Sequence, residues 1–345
     1  VTSALCVSVV LPVLNEAGDL PRLLEQLRAQ VSPPGGFEVL VVDGGSTDGT
    51  RELVIERAAS WPLLRLIDNP KRRSAPARNL GARAARGDII LYVDGHCSIP
   101  RPDYLSRLVT IFTSSGAACL CRPQPLTTLT EDRPWARAIA IARHSPIGHH
   151  PDSDIYGTEP RVTQPHSAGA AYRREIFERV GGFDERFDAC EDVEFNHRVD
   201  RAGFTAYVHP DLAVDYRPRG SLSTFFRQMV RYGRGRGRLA VRHPQLVPTT
   251  LVLASILAVG TAFLLVIPGG KLGLGFFAMA IGVWLALCVG EGLRRGGWAN
   301  GWRVAVALAA VHVGLTLGFW RGLLEFRTFR APLPSPEWKE RHASS

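Results

Sequence analysis

Short apolar runs alternate with polar stretches through residues 1–246, whereas apolar positions dominate residues 247–320. This contrast predicts a soluble part followed by a membrane part. Residues 6–11 form a β-branched apolar run, and residues 19–30 then carry leucines at 20, 23, 24 and 27, the spacing of one helical face. The same strand-then-helix unit recurs at 37–42 and 47–59, at 63–67 and 75–86, and at 89–93 and 104–113. Strands alternating with helices of this length predict an α/β fold, a mostly parallel sheet covered by helices on both faces. Ligands of such sheets bind outside the carboxyl ends of the strands, and two of those ends carry acids, Asp43 and Asp94.

From 122 to 166 the periodicity fades among Pro, His and Gly, which predicts a long functional lid or binding loop. Order resumes over 170–180, 188–202 and 206–216, and 221–242 reads as a basic amphipathic helix. The uncharged runs 247–267 and 272–290, joined by Pro268-Gly-Gly-Lys271, predict a transmembrane hairpin. A third run, 304–320, is shorter and contains His312. Gly314, Gly318 and Gly322 recur there every four residues, a smooth stripe that lets another helix approach closely. The expected domains are therefore a catalytic part over 1–220, a juxtamembrane helix over 221–246, a membrane part over 247–326 and a polar tail over 327–345.

Composition narrows the function classes. A chain of 345 residues, 46% apolar and 21% charged, accommodates about two domains with a large core, which excludes a disordered or disulfide-stapled peptide. The net charge of +9 is concentrated: residues 217–242 hold eight arginines and no acid. Charge gathered beside the first span, without interleaved aromatics, argues against nucleic-acid binding and for contact with membrane lipids. Arginines there and in the loop 291–303 predict a cytoplasmic catalytic part in the cell (inner) membrane with several passes. Three full crossings would export a tail that holds Arg327, Arg330, Lys339 and Arg341, so either the third run is shallow or re-entrant or the charge rule fails. Six cysteines without CxxC spacing predict unpaired thiols, with Cys119 and Cys121 on one face of a strand. No apolar leader precedes the first strand, and Val1 is not an initiator methionine.

Five motifs then occur in order: Val9-Val-Leu-Pro-Val-Leu-Asn-Glu16, Val41-Val-Asp-Gly-Gly-Ser-Thr-Asp-Gly-Thr50, Tyr92-Val-Asp-Gly-His96, Glu191-Asp192 and Gln228-Met-Val-Arg-Tyr232. Together they resemble the family 2 glycosyltransferases of GT-A (Rossmann-like) fold over most of residues 6–242. The likeness is greatest to the succinoglycan-biosynthesis type of membrane glycosyltransferase, with Asp-x-His at 94–96 and the Arg-rich stretch Arg231-Tyr-Gly-Arg-Gly-Arg-Gly-Arg238. The resemblance implies an inverting transferase that moves a hexose from a nucleotide sugar, UDP-linked, to a lipid-linked saccharide in polysaccharide or glycolipid biosynthesis.

Residue roles follow from the resemblance and from the chemistry such a reaction needs. A departing diphosphate must be neutralised, and a divalent metal, Mn²⁺ or Mg²⁺, does this as a Lewis acid. Asp94 and His96, two apart beyond a strand, can face the same side and share one ion; an Asp-Gly turn with an incidental histidine is the bland alternative. Asp43 resembles the residue that hydrogen-bonds the base, while Ser46 or Thr47 is expected as a helix N-cap. Pro12, Asn15 and Glu16 are implied to line the nucleotide site, and Arg78 and Asn79 to lie near the donor phosphates, with a solvated helix face the alternative for Arg78.

Asp192 matches the catalytic base that deprotonates the acceptor hydroxyl. Glu191 fits a capping box with Asp188 and otherwise belongs with the acceptor or diphosphate. Gln228, Arg231 and Tyr232, on adjacent helical turns, are implied at the acceptor or diphosphate. His144, His149, His150 and His166 read as polar loop contacts sooner than as a second metal site. Two rival readings stand beside the main one: a polyprenyl-phosphate sugar synthase, and a non-catalytic membrane-bound nucleotide-sugar binding protein. The sequence does not set the sugar or the oligomeric state.

Overall fold

A computed structural model describes residues 4–126, 133–149, 155, 159–165, 169–246, 260 and 271–325. The expected span 247–267 apart from Gly260, the tail 327–345, His150 and His166 lie outside the described residues. In chain order the strands and helices are β1 (Val7–Val13), α1 (Leu20–Arg28), β2 (Phe37–Asp43), α2 (Thr50–Ala59), β3 (Leu64–Asp68), α3 (Ser74–Ala84), β4 (Ile89–Tyr92), β5 (Cys97–Ser98), α4 (Tyr104–Ser115) and β6 (Cys119–Cys121). There follow α5 (Pro134–Arg143), β7 (Arg161–Thr163), β8 (Gly169–Arg173), α6 (Arg174–Val180), α7 (Glu191–Arg201), β9 (Ala206–Val208), β10 (Asp215–Tyr216), α8 (Leu222–Arg242) and α9 (Lys271–Leu323). They divide into two compact units: the first holds every strand with α1–α4, α6 and α7, and the second holds α5, α8 and α9.

The first unit is built on an eight-stranded sheet of order β3-β2-β1-β4-β8-β6-β9-β7, parallel except for β7 and β8. Strand alternation sorts its side chains between two cores. Val7, Val9, Leu11 and Val13 of β1 face the α1 leucines, whereas Val10, with Leu40 and Val42 of β2, faces α3 and α6. Leucines 20, 23, 24 and 27 are all buried, each contributing about 1.5–3 kcal/mol, which is why that period-3.6 stripe forms α1. Pro12 lies where β1 keeps β2 as a neighbour but has passed the end of its pairing with β4, so its missing N–H breaks no ladder on that side. The chain runs outward in opposite directions from β1 and β4, and this switch point sets the crevice between their carboxyl ends. A second sheet, β5 with β10, brings Tyr216 alongside Cys97.

The second unit departs from expectation in two ways. The stretch taken as irregular contains α5, an alanine-rich helix with Pro134 in its first turn; its buried Ala138, Ile139 and Ala142 form a short face that the surrounding Pro and His residues mask in the sequence. The runs 272–290 and 304–320 are not separated by a loop. They are two helical arms of α9, joined at Gly297, whose φ of 63° breaks the helix. The arms pack antiparallel: a Cβ on Gly292 would lie 2.4 Å from the carbonyl of Gly301, and Trp284 Nε1 donates to His312 Nδ1 at 2.8 Å. A hairpin of helical arms therefore joins the second and third apolar runs, while the turn expected between the first and second, 268–270, lies outside the described residues. Among the described residues one helix, α9 over Gly275–Leu323, is long and apolar enough to cross a membrane, where the sequence suggested separate spans.

The glycine stripe does receive a helix, and that helix is α8. Gly314, Gly318 and Gly322 meet Met229, Val230 and Arg234 at backbone distance, and Gly233 and Gly237 of α8 meet Leu315 and Phe319 in return. The offset between partners stays constant along the contact, so α8 and the second arm run parallel.

Close approach is also required in the first unit, where a Cβ on Gly81 of α3 would lie 2.2 Å from Val10 Cγ1. Gly81→Ala should cost about 1–3 kcal/mol of stability despite alanine's better helix propensity, and Val10→Ala in the same chain should recover part of it; denaturant unfolding of the two variants checks this.

Candidate active site

The loops that follow β1 and β2 are sewn together by hydrogen bonds. Asn15, at a left-handed φ of 58°, donates its backbone N–H to Ser46 Oγ at 2.8 Å and accepts Thr47 N–H on its side-chain oxygen at 2.9 Å. Glu16 N–H donates to Thr50 Oγ1, and Ala17 N–H to Asp48. Asp43, 1% exposed, accepts from the N–H groups of Gly45 and Ser46 and from Ser46 Oγ at 2.5 Å. Its carboxylate thus shapes the turn after β2. The expected N-cap at Ser46 or Thr47 is not formed: α2 begins at Thr50 behind Gly49, whose φ of 93° makes the turn, and the two hydroxyl residues are engaged with Asp43 and Asn15 instead.

Beyond β4, Asp94, Gly95 and His96 turn against Glu16. A Cβ on Gly95 would lie 3.0 Å from Glu16 Cγ, and His96 Nδ1 lies 3.0 Å from Glu16 Oε1, with its ring edge-on to Tyr216 at 4.9 Å. The histidine predicted to share an ion with Asp94 thus also has a carboxylate from the first motif beside it. Carboxylate and imidazole are donor types that suit Mn²⁺ or Mg²⁺, but among the described residues no three of His, Cys, Asp and Glu are grouped so that they could hold a metal ion.

Arg78 holds the next layer. Its Nη2 lies 3.6 Å from Asp94 Oδ1 and its Nε 4.0 Å from Glu191 Oε1, and the guanidinium sits over the rings of Tyr92 and Phe183 at 5.6 and 5.5 Å. With 14% of the side chain exposed, the solvated-face alternative is set aside. Burial alone would disfavour its charge, but the carboxylates of Glu191, Asp94 and Asp192 outweigh it and hold the guanidinium firmly protonated. Tyr92, whose hydroxyl donates to the Arg78 carbonyl, is pushed well above the ordinary tyrosine range by burial. Asn79, expected near phosphates, is committed to the fold: its amide bonds both the N–H and the carbonyl of Phe183, at 2.7 and 2.9 Å, and reaches Glu185.

Glu191 and Asp192 open α7. The capping box with Asp188 is not realised, because the residue before the helix is Cys190 at a left-handed φ of 62° and Glu191 is already the first helical residue. Glu191, 6% exposed, is turned to Arg78 instead. Desolvation raises its pKa, the charge of Arg78 opposes that, and neighbouring Asp192 adds to the rise. Asp192 is only partly buried, and its Oδ1 accepts from the Val193 N–H at the positive end of the helix. Arg78 thereby gathers Asp94 and Glu191, from strand and helix ends distant in sequence.

Gln228 and Tyr232 are hydrogen-bonded to each other on α8 at 3.1 Å, and Arg231 beside them is exposed. These three belong to the second unit. His144 bonds the Ala140 carbonyl through Nδ1, a polar contact of the kind expected.

Three participants escaped the sequence reading. Tyr216 arrives through β10, a two-residue strand with no periodic signal. Ser74, at the start of α3, lowers the pKa of Glu191 against the effect of its burial. Arg122, 5% exposed at the end of β6, donates to the Tyr92 carbonyl at 2.7 Å and so braces the strand that presents Asp94. An arginine following an apolar run reads as a strand end, so nothing in the pattern singles it out.

Because Glu191 binds its proton more tightly folded than unfolded, it stabilises the fold fully below the ordinary carboxylate value of 4.5, and that contribution is lost as pH rises through the raised value. Relative to Glu191→Gln, the parent chain should therefore lose stability as pH rises through the mildly acidic range; denaturant midpoints of both chains against pH check the sign.

Comparison with known proteins shows the family and the fold. Residues 8–181 match the family model described as Glycosyl transferase family 2. The chain is 32% identical to the succinoglycan biosynthesis protein ExoA of Rhizobium meliloti (strain 1021) over 92% of its own length and 95% of the relative's. It is 24% identical to the dolichyl N-acetyl-alpha-D-glucosaminyl phosphate 3-beta-D-2,3-diacetamido-2,3-dideoxy-beta-D-glucuronosyltransferase of Methanococcus voltae, over 67% of this chain and 73% of that one. Among solved structures, the mannosyltransferase PcManGT of Pyrobaculum calidifontis, in complex with GDP-Man and Mn²⁺, superposes with a TM-score of 0.59 at 23% identity, covering 91% of this chain and 88% of the other. The ordered motifs, the sheet with its switch point and the matched length lead to one conclusion: the chain belongs to glycosyl transferase family 2 and has the GT-A fold.

Proposed function

We propose that the protein is an inverting glycosyltransferase that moves a hexose from a UDP-sugar to a lipid-linked saccharide, in polysaccharide or glycolipid assembly on the cytoplasmic face of the inner membrane. The observation that carries this reading is the acid-lined crevice at the switch point, where Arg78 ties Asp94 to Glu191 and thus to the helix start that bears Asp192. Succinoglycan biosynthesis in one relative's name and a dolichyl phosphate sugar in another's support the polysaccharide and the lipid-linked acceptor.

In this reading Pro12, Asn15, Glu16 and Asp43 frame the nucleotide, on loops already fixed before it binds. Asp94 and His96 are the residues that would hold a divalent ion, which when bound would supply Lewis-acid neutralisation of the leaving diphosphate. Arg78 supports that charge from behind while keeping Asp94 in place, and Asn79 anchors the helix that carries Arg78. Asp192 accepts the proton of the acceptor hydroxyl as its oxygen attacks the anomeric carbon opposite the nucleotide, so an α-linked donor yields a β-linkage. Gln228, Arg231 and Tyr232 are assigned to the acceptor or diphosphate on their motif alone.

Purified protein with labelled UDP-glucose, Mn²⁺ and a membrane lipid extract should yield labelled lipid. Asp192→Asn should lower transfer by at least about 10²-fold with UDP binding retained, whereas Asp94→Ala should weaken metal-dependent UDP binding itself. Sizing the saccharide released from the product by mild acid should give two sugars or more. A single released sugar, or binding without turnover that ignores Asp192→Asn, overturns the proposal.

A further inference from the structure

We propose that the second arm of α9 does not cross the bilayer: clamped to α8, it lies with that helix on the anionic headgroup layer, so both of its ends stay on one side of the membrane. The inference rests on the second unit alone and is independent of the catalytic reading. Helix α8 carries six arginines and no acid over Leu222–Arg242. An arginine at the centre of a spanning helix costs about 2.5–3.5 kcal/mol on the insertion scale, so a helix with six of them stays out of the hydrocarbon.

The second arm cannot be placed apart from α8. Cβ atoms on Gly318 and Gly322 would lie 2.0 and 2.2 Å from the carbonyls of Val230 and Arg234, and those on Gly233 and Gly237 would lie 2.2 Å from the carbonyls of Leu315 and Phe319. Contact is backbone to backbone over successive turns, with the helices parallel. At its end Glu325 accepts from Arg234 Nε and Arg238 Nε, both at 2.6 Å, and these charges lower its pKa against the opposing effect of burial.

The opposite face of the arm is suited to lipid. Trp302, Val306, Val313, Leu317, Trp320 and Leu324 recur at intervals of three, four and seven residues, one helical stripe, and all are exposed. An apolar stripe backed by a basic helix is the pattern of an element lying in the interface plane, where each arginine near an anionic surface contributes about 1 kcal/mol. The other end of the arm is basic too: Arg294 and Arg295 pair with Glu291 before Gly297, and Arg303 lies over the Trp302 ring. Both ends thus satisfy the charge rule on the same side, and the conflict over the basic tail disappears.

The full chain carrying an epitope tag after Ser345 tests this in sealed vesicles of both orientations. Protease should remove the tag and the catalytic part together from inverted vesicles and neither from right-side-out ones; a tag cleaved from the face opposite to the catalytic part overturns the inference. Gly318→Leu, which forces a side chain into the Val230 carbonyl, should move a measurable fraction of the tag to the other face. Glu325→Arg, which brings three guanidinium groups together, should do the same and serves if the first variant does not accumulate. An unchanged distribution in both variants overturns the role of the clamp.

Discussion

A buried cation holds this active-site candidate together. Asp94, Glu191 and Asp192 come from the end of β4 and the start of α7, almost a hundred residues apart, and without an intervening positive charge their mutual repulsion in a half-buried crevice would drive the two elements apart or force protons onto them. Arg78 opposes both, although burial still raises the Glu191 pKa, and its guanidinium lies over the rings of Tyr92 and Phe183. Removing one member of such a buried ionic group typically costs about 3–5 kcal/mol, which makes this residue as much a part of the fold as of the chemistry. The same charge shifts Glu191 against the effect of its burial, so the electrostatics of the crevice are a property of the group rather than of any one acid.

The sheet and its covering helices could be read from the sequence because the physical signal is local. A β-branched run and a leucine stripe each declare their element within a dozen residues, and from β1 to α4, the unforeseen two-residue β5 apart, the observed ends differ from the expected ones by no more than three residues. Where burial is supplied by alanine and glycine, local contrast vanishes: α5 and the continuity of α9 through residues 291–303 were invisible for that reason. The glycine stripe announced a close helix neighbour, but only three-dimensional packing identifies that neighbour as the arginine-rich α8.

At the site, residue types were readable and their bonding was not. The motifs single out Asp43, Asp94, His96 and the Glu191-Asp192 pair as candidates, because an ionisable group at a strand end or helix start is a chemical signal in itself. Whether an acid faces a ligand, a backbone N–H or a guanidinium depends on partners tens of residues away. Asn79 illustrates the difference: a motif residue beside Arg78, it spends its whole amide on a loop more than a hundred residues distant. Glu191, which suited a capping box in one dimension, instead answers to Arg78 because a left-handed Cys190 starts the helix two residues later than the capping pattern implied.

The tight seat of Gly81 on Val10 has a consequence for how variation in this protein would be interpreted. Arg78 stands one helical turn before that glycine, so the depth to which α3 settles against β1 also sets the reach of the guanidinium toward the two acids. A methyl group added far from any substrate would lift the helix by a fraction of an ångström and register as lost turnover. Surveys that sort residues into structural and catalytic classes by their distance from the reacting atoms would misfile it, because here the lattice of the core is the ruler by which the charges are spaced.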